Sequence, residues 1–150
     1  MNLKEKINED LKAAMKSGDK TRLTVIRSIR ALILEFEKSG AAKEMSPDEE
    51  IKMLSTAAKK RKDSIEQFRN AGRTELADQE ESELKVLMDY LPKQLDENEI
   101  SQIINGLAEP IGAKTKDDFS KLMPLVMKEL KGKADGKIVK TLVEKFLGVS

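Results

Sequence analysis

The sequence has no cysteine, no histidine and no tryptophan, and Tyr90 is its only tyrosine. Without cysteine, the chain can form no disulfide, no thiolate metal site and no cysteine-based catalytic centre. Without histidine, it lacks the most common general base and the most common zinc ligand. These absences exclude most familiar enzyme centres. We therefore expect no catalytic residues, no metal and no cofactor, and a protein that acts by binding.

Long hydrophobic runs are also missing from the sequence. No stretch approaches the roughly 20 apolar residues that a membrane-spanning helix needs. The first six residues do not open the apolar segment of a secretory signal. From these two observations we predict that the protein does not span a membrane and that it is located in the cytoplasm.

Helical periodicity is the main feature that the sequence does contain. Of its 150 residues, 39% are hydrophobic and 37% are charged, a balance that suits a folded protein with solvated helix faces. Apolar residues recur every three or four positions, and no useful alternating strand pattern occurs. The prediction is an all-α fold with a larger N-terminal helical domain, residues 1–92, and a small C-terminal three-helix domain, residues 96–150. Pro92 marks the boundary.

Capping patterns predict where helices begin. Ser46-Pro47-Asp48-Glu49 is typical of a helix start, and Asp96 and Asp135 are candidate caps for later helices. Pro124 lies inside a helical pattern, which predicts a kink or break there. The apolar spacing also predicts side chains that face the core, among them Leu76, Leu87, Ile138, Val143 and Phe146.

Charge is distributed unevenly, although the net charge is only +1. Residues 59–73 carry six basic and two acidic side chains, and residues 74–99 carry two basic and nine acidic ones. Residues 114–145 carry nine lysines and five acids. The chain therefore has two basic segments with an acidic segment between them, and the basic segments are candidate sites for a polyanion.

The first basic segment contains the run Lys59-Lys60-Arg61-Lys62, followed by Arg69 and Arg73. On one helix, Lys62, Arg69 and Arg73 would share a face, because they are spaced by seven and four residues. Such a face could follow a line of phosphates. The alternative is a solvated helix face whose arginines pair with the acidic segment that follows.

The second basic segment surrounds a glycine-flanked turn that leads into a helix. Free backbone N–H groups and the helix dipole favour an anion at such a position, and nearby lysines would strengthen the field. The alternative is ordinary capping with solvated lysines. Neither segment has interleaved aromatic residues, so any nucleic-acid contact would be to backbone or shape. The lysines are Lys128, Lys131, Lys133, Lys137 and Lys140.

Three further patterns have simpler explanations. Residues 132–137 resemble a phosphate-binding loop, but only three residues separate the glycines and no Ser or Thr follows Lys137. Ser17 and Lys20 have the Ser-x-x-Lys spacing within a sequence typical of a turn and a helix cap. The acids of residues 78–83 lack the histidine partners of a helical-bundle metal site, so a solvated acidic face is expected.

Several motifs together resemble one protein family. Their order, which covers nearly the whole chain, is similar to that of the YqeY-like family. The motifs are Lys60-Arg61-Lys62-Asp63-Ser64-Ile65-Glu66-Gln67-Phe68, Ala71-Gly72-Arg73-Thr74-Glu75-Leu76-Ala77, Glu80-Glu81-Ser82-Glu83-Leu84, Tyr90-Leu91-Pro92-Lys93-Gln94-Leu95 and Val126-Met127-Lys128-Glu129-Leu130-Lys131-Gly132-Lys133-Ala134-Asp135-Gly136-Lys137.

The resemblance implies an all-helical N-terminal domain followed by a small helical C-terminal domain. It also implies similarity to the tail of the GatB subunit of the glutamine-dependent amidotransferase that acts on mischarged tRNA. In that enzyme the tail helps to hold tRNA, and the chemistry takes place in other domains, which this sequence does not resemble. The function implied is that of a non-catalytic tRNA-binding or translation-associated accessory module.

Under this hypothesis both basic segments contact the phosphate backbone of tRNA. One alternative is a protein-interaction adaptor, in which the acidic residues 75–90 and an apolar groove receive a partner helix. Another is a component of an amidotransferase-type carbon–nitrogen ligase, with glutamine as nitrogen donor, that acts only within a larger complex. No small-molecule substrate is expected. The predicted RNA-binding residues are Lys62, Arg69, Arg73, Lys131, Lys133 and Lys137.

Overall fold

The structure is a computed structural model that describes residues 1–40 and 44–148. These residues form seven α-helices and one short 3-10 turn, and they contain no β-strand. The all-α prediction is confirmed. The chain divides into two compact units, Met1–Leu91 and Pro92–Ser150, which are described separately.

The N-terminal unit has four helices around one apolar core. Helix α2 packs against α1 and α4, and α3 packs mainly against α4. The core is built from aliphatic side chains such as Ile7, Ile26, Ile29, Leu54 and Leu87, each at most 1% exposed. The helices are α1 (Leu3–Ser17), α2 (Lys20–Lys38), α3 (Pro47–Asn70) and α4 (Thr74–Met88).

Local capping chemistry sets the ends of these helices. The Ser46 hydroxyl accepts a hydrogen bond from the Glu49 backbone N–H, and the Glu49 carboxylate accepts one from the Ser46 N–H. This reciprocal pair satisfies two donors that would otherwise lack partners. Asp19 caps α2 through the Arg22 N–H. The predicted helix start at Ser46 is therefore confirmed.

The C-terminal unit has three helices and its own core. Each of the three helices packs against the other two, and Ile104, Leu122, Val126, Val139 and Val143 are at most 1% exposed. A 3-10 turn, Lys116–Asp118, precedes the second of them. The helices are α5 (Glu97–Ile111), α6 (Phe119–Glu129) and α7 (Gly136–Phe146).

Two details of the sequence interpretation are corrected by the structure. Of the predicted kink or break at Pro124, the break does not occur, because helix α6 continues through this residue. Proline removes one backbone N–H, which leaves the Ser120 carbonyl without its helical partner, and both residues are exposed, so water can replace that bond. Buried Leu122 and Val126 hold the helix to the core on either side.

The second correction concerns which apolar side chains face the core. Leu87 and Val143 are buried as predicted, but Leu76, Ile138 and Phe146 are 45%, 43% and 39% exposed. The neighbouring positions Ala77 in α4, Val139 in α7 and Leu147, which follows α7, are buried instead. Among the described residues, no helix is both long enough and apolar enough to cross a membrane.

Candidate nucleic-acid interface

The first predicted basic face does not lie on a single helix. Lys62 and Arg69 are on α3, but α3 ends at Asn70 and Arg73 is the residue that precedes α4. Gly72, in the left-handed conformation with φ 72°, separates them, because a residue without Cβ can reverse the chain there at low cost. The assumed spacing of four residues on one helix therefore does not apply to Arg73.

Arg69 is held by acids of α4. Its guanidinium donates hydrogen bonds to Asp78 and Glu81. The hydrogen bond to Asp78 is the main cause of a raised pKa for Arg69. One positive charge therefore faces two negative charges, so the local net charge is −1. A phosphate would have to compete with both carboxylates for this side chain.

Arg61 has an internal role that the sequence interpretation did not identify. Its guanidinium lies 2.8 Å from a Glu83 carboxylate oxygen and 3.2 Å from one of Glu80, and it also reaches the Ser28 hydroxyl at 3.4 Å. The Arg61 side chain is 16% exposed and that of Glu83 is 9% exposed. This network joins α2, α3 and α4. The only feature of the sequence that indicates this network is the opposite charge of the two segments that contain Arg61 and Glu83.

Four acids of the acidic segment are therefore ion-paired within the N-terminal unit, although they outnumber the two arginines that bind them. Residues 78–83 supply the carboxylates that bind Arg61 and Arg69. Within residues 1–40 and 44–148, no three acidic side chains are grouped closely enough to hold a metal ion. The α4 acids act as ion-pair partners of α3, which differs from the freely solvated acidic face expected from the sequence.

The second basic segment lies in a turn that is fixed from two sides. Gly132 adopts φ 74° between α6 and α7, and its carbonyl accepts a 2.7 Å hydrogen bond from the Gln94 side-chain amide. The next carbonyl, that of Lys133, accepts a 2.9 Å bond from the Leu95 backbone N–H. The backbone that carries Lys133 is therefore tied by hydrogen bonds to residues 94 and 95.

Lys131, Lys133 and Lys137 are exposed on this turn and the first turn of α7. No ion pair of these three lysines with another residue of the described ranges occurs. The first turn of α7 already has a negative cap, since the Asp135 carboxylate accepts a hydrogen bond from the Lys137 N–H at 2.9 Å. A phosphate would therefore be bound by the lysine side chains and not by the helix terminus.

Comparison with known proteins assigns the chain to a family. A family model described as Yqey-like protein matches residues 4–147, which is nearly the whole sequence. The chain belongs to the YqeY-like family. This membership agrees with the all-helical fold and confirms the resemblance found in the sequence.

Relatives of this YqeY-like chain include fungal proteins named "Altered inheritance of mitochondria protein 41, mitochondrial". The one from Pyrenophora tritici-repentis is 31% identical over 147 residues, which cover 95% of this chain and 80% of the relative. The one from Lachancea thermotolerans is 30% identical over 123 residues, which cover 77% of this chain and 66% of the relative. A third, from Vanderwaltozyma polyspora, is 31% identical over 124 residues, with 77% and 66% coverage.

The predicted cytoplasmic location is contradicted by these relatives, whose names place them in mitochondria. The prediction was wrong because it relied on the absence of apolar segments. A folded helical domain needs the same composition and periodicity in either compartment, so these features carry no information about location.

Proposed function

We propose that this YqeY-like protein is a tRNA-binding or translation-associated accessory protein that has no active site of its own. The observation that supports the proposal is the cluster of Lys131, Lys133 and Lys137 on a fixed turn without ion-pair partners among the described residues. Because these charges are not neutralised internally, they favour a polyanion at this surface. The GatB-tail resemblance supports tRNA as that polyanion.

The mode of binding follows from the chemistry of lysine. An ammonium group is a compact point charge that neutralises a phosphate without reading a base. Binding would release the counterions condensed on the RNA, so the affinity would fall steeply with salt. The protein would therefore hold tRNA by its backbone and shape, in keeping with its lack of tryptophan and its single tyrosine.

The basic residues of the N-terminal unit contribute unequally in this proposal. Arg73 is exposed and has no ion pair with the described parts of the chain, so it is available for phosphate. Arg69 would have to exchange Asp78 and Glu81 for phosphate. Lys62 is half-buried on α3. Arg73 is therefore the strongest of the three predicted N-terminal contacts, and Arg69 is the weakest.

The test is a tRNA titration at two salt concentrations with the full chain and the variant K131E/K133E/K137E. We expect the variant to bind tRNA on the order of 100-fold more weakly at low salt. The slope of log affinity against log salt concentration should also become shallower, by about 0.9 for each phosphate contact that is lost. The matched control is K114E/K116E/K145E, which makes the same charge change at exposed lysines of the same unit and should retain most of the affinity.

Two outcomes would contradict the proposal. Absence of tRNA binding by the unaltered chain at low salt would remove tRNA as the partner. Equal losses in the triple variant and its control would show that only the net charge matters, and that the turn before α7 is not a binding site.

A second candidate function, the protein-interaction adaptor, is favoured at a surface other than the predicted acidic residues 75–90, namely by exposed apolar side chains near the lysine turn. Met127 and Ile138 are 41% and 43% exposed, and Met127 lies against Gly136 at the start of α7. As a component of an amidotransferase-type complex, the chain would use such a surface to bind the subunits that supply the chemistry. M127D/I138D should then abolish recovery of a partner from nuclease-treated extract, whereas K131E/K133E/K137E should not.

A further inference from the structure

Helix α2 has an outward face that carries four basic side chains. Lys20, Arg27 and Lys38 are spaced by seven and eleven residues, which correspond to about two and three turns, so they lie on one line along the helix. Arg30 lies beside this line. All four are exposed, as are the intervening residues Thr24, Ala31 and Leu34.

These four charges are not neutralised within the described parts of the chain. None of the four side chains forms an ion pair or a side-chain hydrogen bond with residues 1–40 or 44–148. The line itself contains no acid. At its edges, Asp19 is engaged with Arg22 and Glu37 is bound by Lys4 at 2.6 Å. Among the described residues of α2, Glu35 alone remains beside the face as an acid with no ion pair to the described parts of the chain.

The opposite face of α2 fixes these charges in space. Val25, Ile26 and Ile29 are completely buried in the core of the N-terminal unit. The line from Lys20 to Lys38 covers 19 residues, or about 27 Å of helix axis between its two ends. Because the apolar side of α2 is already used by the core, the helix has no free hydrophobic face to insert into a lipid surface. The chemistry that remains is that of an extended, rigid row of cations.

We infer that the outward face of α2 binds the sugar–phosphate backbone of RNA. The inference rests on the proposed function for the class of partner, and it adds a binding surface that was not among the predicted residues. Arg27 and Arg30 can each bind a phosphate with two hydrogen bonds, and Lys20 and Lys38 add point charges at the two ends. The surface is independent of the lysine turn of the C-terminal unit, because it belongs to a different unit of the fold.

The experiment compares the full chain with R27E/R30E in titrations against tRNA and against a generic 20-base-pair RNA duplex. Each titration is repeated at two salt concentrations. We expect the variant to bind both RNAs at least tenfold more weakly at low salt, with a salt slope reduced by about 2. The matched control is K12E/K52E, which makes the same charge change at exposed lysines on α1 and α3 and should change the affinity less than threefold. Circular dichroism confirms that the variants remain folded.

The outcomes separate this inference from the proposed function. In one outcome, the unaltered chain binds tRNA no better than the duplex, and R27E/R30E loses duplex binding. This result would remove the tRNA role and keep the α2 surface. In another outcome, K131E/K133E/K137E loses tRNA binding, and R27E/R30E binds tRNA as well as the unaltered chain does. This result would overturn the α2 surface and keep the tRNA role. Absence of RNA binding by the unaltered chain would also overturn the inference. So would a result in which R27E/R30E loses binding to anionic vesicles but keeps its affinity for RNA.

Discussion

The arginines of α3 and the lysines before α7 are both basic clusters in the sequence, but the fold uses them differently. Arg61 and Arg69 bind four carboxylates of α4, whereas Lys131, Lys133 and Lys137 have no ion-pair partner among the described residues. The first set joins helices, and the second remains available to a ligand. The difference shows that a local excess of positive charge in the sequence can be compensated by ion pairs in the tertiary structure, so that charge patterns alone do not identify the basic residues that stay unpaired.

The largest effect that tests this comparison is expected for Arg61→Ala. Removal of the guanidinium leaves Glu83, which is 7% exposed, without its main ionic partner. Loss of one member of a fully buried pair typically costs about 3–5 kcal/mol. Because the Arg61 and Glu83 side chains keep 16% and 9% exposure, we expect urea unfolding to show a somewhat smaller loss, about 2–4 kcal/mol. Arg69→Ala is the matched control, because its exposed pairs should be worth less than about 1 kcal/mol. Equal effects would contradict the structural role of Arg61.

A smaller effect is expected at the cap of α7. Asp135→Ala removes the acceptor of the Lys137 N–H bond and should destabilise the protein by about 1 kcal/mol. Asp135→Asn keeps an acceptor but removes a negative charge beside the lysines. It should therefore lose less stability than Asp135→Ala and bind tRNA several-fold more tightly. Weaker tRNA binding by Asp135→Asn would contradict an electrostatic role for this turn.

Alkaline pH should weaken the N-terminal unit through Tyr90. Burial and a 2.6 Å hydrogen bond from its hydroxyl to Asp10 raise the pKa of Tyr90 above the ordinary value of 10.0. The pKa of Tyr90 is therefore higher in the folded chain than in the unfolded chain, which means that the protonated hydroxyl stabilises the fold. This contribution to the free energy of unfolding is complete below pH 10 and is lost as the pH rises toward the pKa of the folded state. Thermal unfolding of Tyr90→Phe should therefore depend less on pH above 10 than unfolding of the unaltered chain.

Acidic pH should produce the smallest effect, in the C-terminal unit. The backbone N–H groups of Lys114 and Thr115 both donate to the Asp118 carboxylate and lower the pKa of Asp118. The ionised Asp118 carboxylate therefore stabilises the fold. This contribution to the free energy of unfolding is present above pH 3.8, the ordinary pKa of an aspartate, and is lost as the pH falls through the lowered pKa of Asp118. Asp118→Asn should reduce the acid dependence of the melting temperature below pH 4. If the melting temperature of Asp118→Asn depends on pH below 4 as that of the unaltered chain does, these two hydrogen bonds make no measurable contribution to acid stability.

Local rules predicted the helix ends well. Ser46, Asp96 and Asp135 act as caps because capping depends on residues within three positions along the chain. The choice of buried side chains was harder to predict. In α7, Ile138 and Val139 are both apolar, and only Val139 is buried, because burial depends on where the other helices lie. Periodicity finds an apolar face to within about one position, and packing decides the rest.

Charge patterns in the sequence indicated only some of the ion pairs and uncompensated basic residues that the fold contains. The pairing of Arg69 with α4 was among the alternatives that the sequence allowed, since a glycine turn brings the acidic segment back along α3. The same turn allows Arg61 to pair with Glu83, but the burial of this pair has no signal, because the two residues are 22 positions apart and lie among other charges. The α2 face was overlooked because its four basic residues are spread over 19 residues and form no run.

The hydrogen bonds of Gln94 and Leu95 to the turn before α7 bear on how this unit can be transplanted. The segment that follows Pro92 closes the unit by donating hydrogen bonds to the turn between α6 and α7. A C-terminal fragment cloned from Asp96 would omit both contacts and release the lysine turn. A fragment that begins upstream of Gln94 would carry the turn in its native shape, so the portable module starts before its first helix.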